Sequence, residues 1–588
     1  MGTTLCERCA ELVEYLIAHV RRVSREIVEK IKECIQAIDH CCCMKRKRNG
    51  TTPRTFYKPL VQEHERLAAQ ELLQYLGSGS EFVLLGNECL HALNILAVSE
   101  NHELQKSASV YLLHLSQHLP AALPSEFLEP YPALLWSCDL EVQRTTSLSL
   151  VNLLVEHNVN KELAVQMGML EPILDLLESG DSTVQCNSCA CVAMLATSDA
   201  NREAIMAADG VLRILVLAKS YDPRIQRNAI GALLNLTRSE KVVGALCQEG
   251  ALPVLALLLQ SEDFEVQFYS CSALRNVAAM QKHHTRMLGI GDHFLLKSLL
   301  SLLSSPVEKI SCQACLCLRN LSTNTRTQEE LMALGCVSPL VILLRSPAVE
   351  KSESAITLLS ALSQHPPNRD RLVEEGLVHA VDKLLLHSSS NNILSLGSIT
   401  VANLSTTPTG QQAMMDSQCV FRLLEALAPT STREEAQLCV ASCLHHLTCL
   451  EMLKTHIAEK MTTEHISHLV RYASQAENPE LSFHAASIIG ELGINVAPLL
   501  SPHSDAVLEY LQQFLKNQEV RFQQLAIATL STLKNDGCFA AAVSGSAVQE
   551  QQLCKVQAQT ERTSDLLSMF PPPSPSRTEQ PLPAQNLD

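Results

Sequence analysis

A short apolar run ending in Asn-Leu returns along this chain of 588 residues at steps of 38 to 45, and that period leaves few ways to fold. The run reads SLVNLL at Asn152, ALLNLT at Asn235, ALRNVA at Asn276, CLRNLS at Asn320 and TVANLS at Asn403. Degenerate copies fill the gaps, with His114, Met194, Ala361, His446, Glu491 and Thr532 at the asparagine place, which gives eleven units. A short repeated unit cannot bury its own apolar face, but stacked copies share one long core and touch mainly their neighbours. The chain is therefore expected to be a solenoid.

Within a unit the sequence runs glycine, apolar stretch, polar turn, longer amphipathic stretch, as from Gly250 through Ser261 to Asn276. Leucines recur at helical spacing and no alternating strand pattern competes, so the unit reads as three helices and the fold as all-α. Gly168, Gly210, Gly250, Gly335 and Gly376 hold matching places after the first helix, where a positive φ would turn the chain sharply. Three regions follow: residues 1–50, a solenoid over 51–541, and a Pro/Ser/Gln-rich tail over 542–588, too poor in apolar residues to fold. Ser574 and Thr578 in that tail are candidate phosphorylation sites, and Pro571–Pro573 a candidate polyproline turn.

Helix order, the Gly-x-Leu/Ile start and the acidic mid-unit turn resemble the armadillo repeat when taken with the Asn-Leu close. The resemblance covers roughly residues 66–541. It implies a right-handed solenoid of about eleven three-helix units, whose third helices line a concave groove. There the closing asparagine would bond the backbone of an extended partner segment, since an amide offers both donor and acceptor. Asn152, Asn235, Asn276, Asn320 and Asn403 are the candidates, and Arg275 and Arg319, each just before one of them, would favour acidic residues in the partner. The competing reading is that each asparagine satisfies its own helix end or a neighbouring loop. In the groove reading, replacing the asparagines should weaken the partner and leave melting nearly unaltered.

The formal charge of −16 argues against a nucleic-acid scaffold, because phosphate binding is driven by Lys and Arg. The chain has 23 cysteines, but groups such as Cys186, Cys189, Cys191 and Cys312, Cys315, Cys317 lie in apolar helical runs, which suits buried free thiols better than a disulfide framework. The cluster Cys443, His445, His446, Cys449 is read as helix packing, and no metal or cofactor is expected. Gly289-Ile-Gly291 lacks the third glycine of a dinucleotide loop, and no phosphate loop, zinc-protease helix or nucleophile elbow appears. Catalysis and a small-molecule substrate are accordingly not expected. No secretory signal and no run of about 18 apolar residues was found, so no membrane span is expected.

The first fifty residues differ in kind. Gly2 is placed for myristoylation after removal of Met1, although Cys6 stands where Ser or Thr is usual. Cys6 and Cys9 lie close to Gly2, and Cys41, Cys42 and Cys43 precede Lys45, Arg46, Lys47 and Arg48. One myristoyl chain holds a protein only marginally, so palmitoylated cysteines would supply the second signal, and each basic residue near an anionic leaflet about 1 kcal/mol more. Residues 7–39 between the two cysteine groups read as one long amphipathic helix of roughly 50 Å. A candidate acylated start ahead of the repeats resembles the vacuolar protein eight group of membrane-anchored armadillo adaptors. The resemblance implies a peripheral protein on the cytosolic face of a vacuole- or lysosome-type membrane, recruiting partners for fusion, inheritance, contact or autophagy. The alternative is a soluble or junctional scaffold of the catenin kind. Nuclear import adaptors of this fold pair each groove asparagine with a Trp one turn earlier, where this chain has Gly231, Ser272 and Leu316.

Overall fold

The computed structural model describes residues 61–77, 87–118, 123–387, 390–428, 433–475 and 477–535. The candidate acylation sites Gly2, Cys6, Cys9 and Cys41–Cys43, the basic run Lys45–Arg48, the helix over 7–39 and the tail from 542 lie outside the described residues. The chain divides into two compact units at Leu321 and Ser322. Among the described residues every regular element is helical.

Eleven of those helices close the sequence repeats. The first unit holds α1 (His102–His118), α2 (Leu140–Val155), α3 (Ser182–Leu195), α4 (Pro223–Leu236), α5 (Phe264–Ala278) and α6 (Glu308–Leu321). The second holds α7 (Val349–Ser363), α8 (Asn391–Leu404), α9 (Glu434–Thr448), α10 (Pro479–Leu492) and α11 (Val520–Leu533). Within each unit every closing helix lies on the one before it, and shorter helices cover one flank of the row. In α4 the buried Ile225, Ala229, Ile230, Ala232, Leu233 and Leu236 cover a wide stripe, because this helix meets both neighbours and its own second helix. Each large aliphatic side chain so buried stabilises the stack by roughly 1.5–3 kcal/mol.

Four successive closing helices, α2 to α5, begin where they do because of a repeated Ser-x-Asp. The hydroxyls of Ser137, Ser179, Ser220 and Ser261 accept the backbone N–H of Asp139, Asp181, Asp222 and Asp263 at 3.1–3.2 Å. Each aspartate then caps the helix: Asp181 Oδ1 accepts from Thr183 N at 3.1 Å and Val184 N at 3.0 Å. A glutamine four residues on ties the new helix back to the end of the second helix, as Gln185 Nε2 does to the Leu177 carbonyl at 3.1 Å. The preceding closing helix supplies a cation to the same aspartate: Lys106 to Asp139 at 3.1 Å, Arg144 to Asp181 at 2.6 Å, Arg227 to Asp263 at 2.8 Å.

The expected glycine turns form at Gly168, Gly250, Gly335 and Gly376, with φ of 76–85°. Gly210 is different, for the left-handed residue there is Asp209, with φ 55°. Gly210 opens the next helix instead, and a Cβ on it would lie 2.8 Å from Ile205 Cγ2 and 2.9 Å from the Ile205 carbonyl. It is small for want of room.

Residues Pro479–Leu515 are apolar and helical enough, by length and composition, to suggest a membrane span. The stretch is broken at Gly493, which takes a positive φ, and Leu481, Ile488, Ile489, Leu492 and Leu500 are buried in the stack. We read it as repeat helices. Near its ends Phe522 packs edge-on to Phe514 at 4.8 Å and to Phe483 at 5.3 Å, and Arg521 lies 5.0 Å over Phe483 while donating to Glu480.

Arg144 holds the Asp181 carboxyl down at about 2, the larger cause being its hydrogen bond, with the Val184 N–H adding to it. A depressed folded-state pKa means the contribution is complete above the ordinary carboxylate value near 4 and disappears as pH falls toward 2. Asp181→Ala should lower unfolding free energy by about 1–2 kcal/mol at pH 7, read from urea melts, and Asp181→Asn by less because the cap survives. The difference between parent and Asp181→Ala should shrink below pH 3.

Candidate functional site

The five asparagines occupy equivalent places near the ends of α2, α4, α5, α6 and α8, all half-buried, and each points its amide nitrogen back at the preceding closing helix. Asn235 Nδ2 donates to the Ala193 carbonyl at 2.8 Å and Asn320 Nδ2 to the Arg275 carbonyl at 3.2 Å. Asn152, Asn276 and Asn403 donate instead to hydroxyls, those of Ser116 at 3.2 Å, Thr237 at 3.0 Å and Ser363 at 3.0 Å. These hydroxyls donate in turn to carbonyls three residues back, at Leu113, Leu234 and Ser360, closing their own helices.

A donor and an acceptor are thus joined across each such junction. The sequence reading found the asparagine and missed the hydroxyl two places beyond it. The signal was present, since Asn235-Leu-Thr237 and Asn403-Leu-Ser405 carry it, and Ser116 and Ser363 keep it where His114 and Ala361 have replaced the asparagine.

The oxygens behave differently from the nitrogens. Asn276 Oδ1 accepts from Arg275 Nη2 at 3.0 Å and Asn320 Oδ1 from Arg319 Nη1 at 3.3 Å, so each arginine lies against the asparagine beside it. The oxygens of Asn152, Asn235 and Asn403 accept no bond within the described residues. An amide fixed by its nitrogen with its oxygen unused can receive a peptide N–H.

A cleft of about 550 Å³ opens beside this row in the first unit, where Arg275 and Asn276 meet Arg238, Phe268, Ser272 and Gln313. Arg238, which follows the Asn235-Leu-Thr237 close directly and is exposed, is not among the residues that the sequence singles out. Position alone gave no hint that its neighbours leave a hollow.

The cysteines lie where apolar packing puts them. Cys189, Cys191, Cys315 and Cys317 are fully buried free thiols, and burial raises the thiol of each, that of Cys317 to about 12. Among the described residues no group of three His, Cys, Asp or Glu side chains could hold a metal ion. In the cluster weighed for one, Cys443 is buried and Cys449 exposed, while His445 turns to His484 of the next closing helix, Nδ1 to Nδ1 at 2.9 Å. Burial pushes His445 down to about 4, and the facing His484 adds to the shift.

Stacked three-helix units, joined through their closing helices and presenting a row of amides, define an armadillo-repeat scaffold. Residues 157–197 match the armadillo/beta-catenin-like repeat and residues 198–448 the plant U-box protein ARM repeat region. Vacuolar protein 8 of Schizosaccharomyces pombe is 38% identical over 506 residues, covering 84% of this chain and 89% of that protein. Vacuolar protein 8 of Candida albicans is 38% identical over 507 residues, covering 84% of each. The chain belongs to the Vacuolar protein 8 family of armadillo-repeat proteins. Among solved structures, an engineered protein aligns with a TM-score of 0.60 at 25% identity over 68% of this chain and 98% of its own. A structure from work on the cadherin and beta-catenin interaction aligns at 0.59 with 16% identity over 79% and 100%, a likeness of fold.

Each amide nitrogen joins two helices, so the asparagines should contribute to stability, where the groove reading from sequence expects melting nearly unaltered. Asn235→Ala should cost about 1 kcal/mol, and Asn235→Ala, Asn276→Ala and Asn320→Ala together about 2–4 kcal/mol, measured by denaturant unfolding of the full chain. An unmoved midpoint would mean that the amides do not hold adjacent repeats.

Proposed function

We propose that this protein is a non-enzymatic scaffold anchored to the cytosolic face of a vacuole- or lysosome-type membrane, where its groove recruits partners through extended acidic segments. The observation that carries the binding half is the asymmetry of the amides: nitrogen committed to the fold, oxygen unused at Asn152, Asn235 and Asn403. A peptide running along the row within the first unit would donate backbone N–H groups to the oxygens of Asn152 and Asn235 without regard to its side chains. Arg238, Arg275 and Arg319 add positive charge beside the row in a chain of net charge −16, which favours an acidic partner and faster capture at low salt.

The membrane half is supported by the vacuolar name of relatives aligned over most of the chain and by the residues ahead of the repeats. Gly2 would carry myristate, Cys6, Cys9 and Cys41–Cys43 would be open to palmitate, and Lys45–Arg48 would lie against anionic lipid. Recruitment for fusion, inheritance, contact or autophagy would then come from holding a partner on that surface.

Gly2→Ala should move most of the protein to the soluble fraction, and Cys41, Cys42 and Cys43 to Ser should do so partly with Gly2 intact. Unchanged membrane recovery of both variants, or no acyl-label incorporation in the parent, would leave the soluble catenin-like scaffold as the better reading. Arg238→Glu with Arg319→Glu should reduce proximity labelling of groove partners and leave membrane recovery as it was.

A further inference from the structure

The cleft beside Asn276 has a composition that an acidic chain alone does not explain. Phe268 and Met280 line it as apolar surface, Arg238 and Arg275 bring positive charge, and Ser272 and Gln313 complete the lining. At about 550 Å³ the cleft has room for a side chain.

Two polar atoms in this lining are buried without a hydrogen-bond partner, the Ser272 hydroxyl and Gln313 Oε1. Ser272 is only 5% exposed. An unmatched buried polar group is costly, so a ligand atom that hydrogen-bonds these groups is favoured there. Arg238 and Arg275 form no ion pair among the described residues; Arg275 donates to Asn276 alone.

On the basis that the groove receives an acidic segment, we propose that the cleft is a pocket for one tyrosine side chain of that segment, with carboxylates on either side of the tyrosine meeting Arg238 and Arg275. A phenol oxygen donates one bond and accepts another, so it serves a serine hydroxyl and a glutamine amide together, whichever way the amide is turned. Its ring covers apolar surface, edge or face to Phe268 and against the Met280 sulfur. A carboxylate side chain would leave those walls wet. A phenylalanine would cover them but strand Ser272 and Gln313, and an aspartate-only segment would use the arginines and leave the cleft empty.

The test uses the full chain and labelled peptides of roughly 15 residues, long enough to pass three repeats, built of Glu and Ser and differing only at the centre. Fluorescence polarisation should show the central-Tyr peptide binding at least about tenfold tighter than central-Ala, with Phe between them. Ser272→Trp, which fills the space, should erase the difference between Tyr and Ala. Gln313→Leu, which keeps the shape, should erase the preference of Tyr over Phe, and it remains informative if the tryptophan variant does not fold. Equal binding of Tyr and Ala peptides overturns the pocket while the groove stands. Tighter binding of phosphotyrosine than tyrosine would make it an anion site and also overturn it. Failure of every acidic peptide to bind would sink the groove reading itself.

Discussion

At five junctions the bond from a closing-helix asparagine to the end of the helix before it fixes how one repeat sits on the next. Its energy is not what holds the stack, for each such bond contributes about 0.5–1.5 kcal/mol, against roughly 1.5–3 for every leucine or isoleucine buried between helices. What it supplies is register. Apolar surfaces tolerate sliding, whereas Asn235 Nδ2 reaches the Ala193 carbonyl only at one axial position. The position so fixed also decides where the amide oxygen faces, so the direction of the oxygens is a consequence of the stacking bond.

Charge is distributed by the same geometry. The aspartates that cap α2, α3 and α5 are each met by a lysine or arginine of the preceding closing helix, so these acids are neutralised where repeats join. Arg275 and Arg319 sit near the other end of their helices and meet amide oxygens there. Helix polarity thus segregates the two kinds of cation, those near the helix start compensating caps and those near its end lying by the asparagine row.

Fold class and the places of the closing helices were legible because both depend on period, and a period survives in sequence even where Met194 or Thr532 has replaced the asparagine. Directions were not legible. Nothing in the spacing of Asn276 says that its nitrogen meets Thr237, a neighbour 39 residues away, which leaves its oxygen to the adjacent Arg275. Gly210 was grouped with four glycines by position, yet Ile205 rather than φ demands its smallness. His445 was grouped with nearby cysteines, while its partner, His484, lies one repeat further on.

Buried polar atoms without partners separate stacking from binding within the row. Thr146, Ser188 and Ser270 have unmatched hydroxyls, and each stands four residues after the valine that starts the buried stripe of its helix, at Val142, Val184 and Val266. A defect recurring at one register belongs to the way small residues pack between stacked helices. Ser272 and Gln313 lie off that register, as Thr529 does, but they share a single cleft with two arginines outside any ion pair. An unmatched hydroxyl, an unmatched amide and two arginines outside any ion pair around one hollow are what the proposed tyrosine pocket would account for.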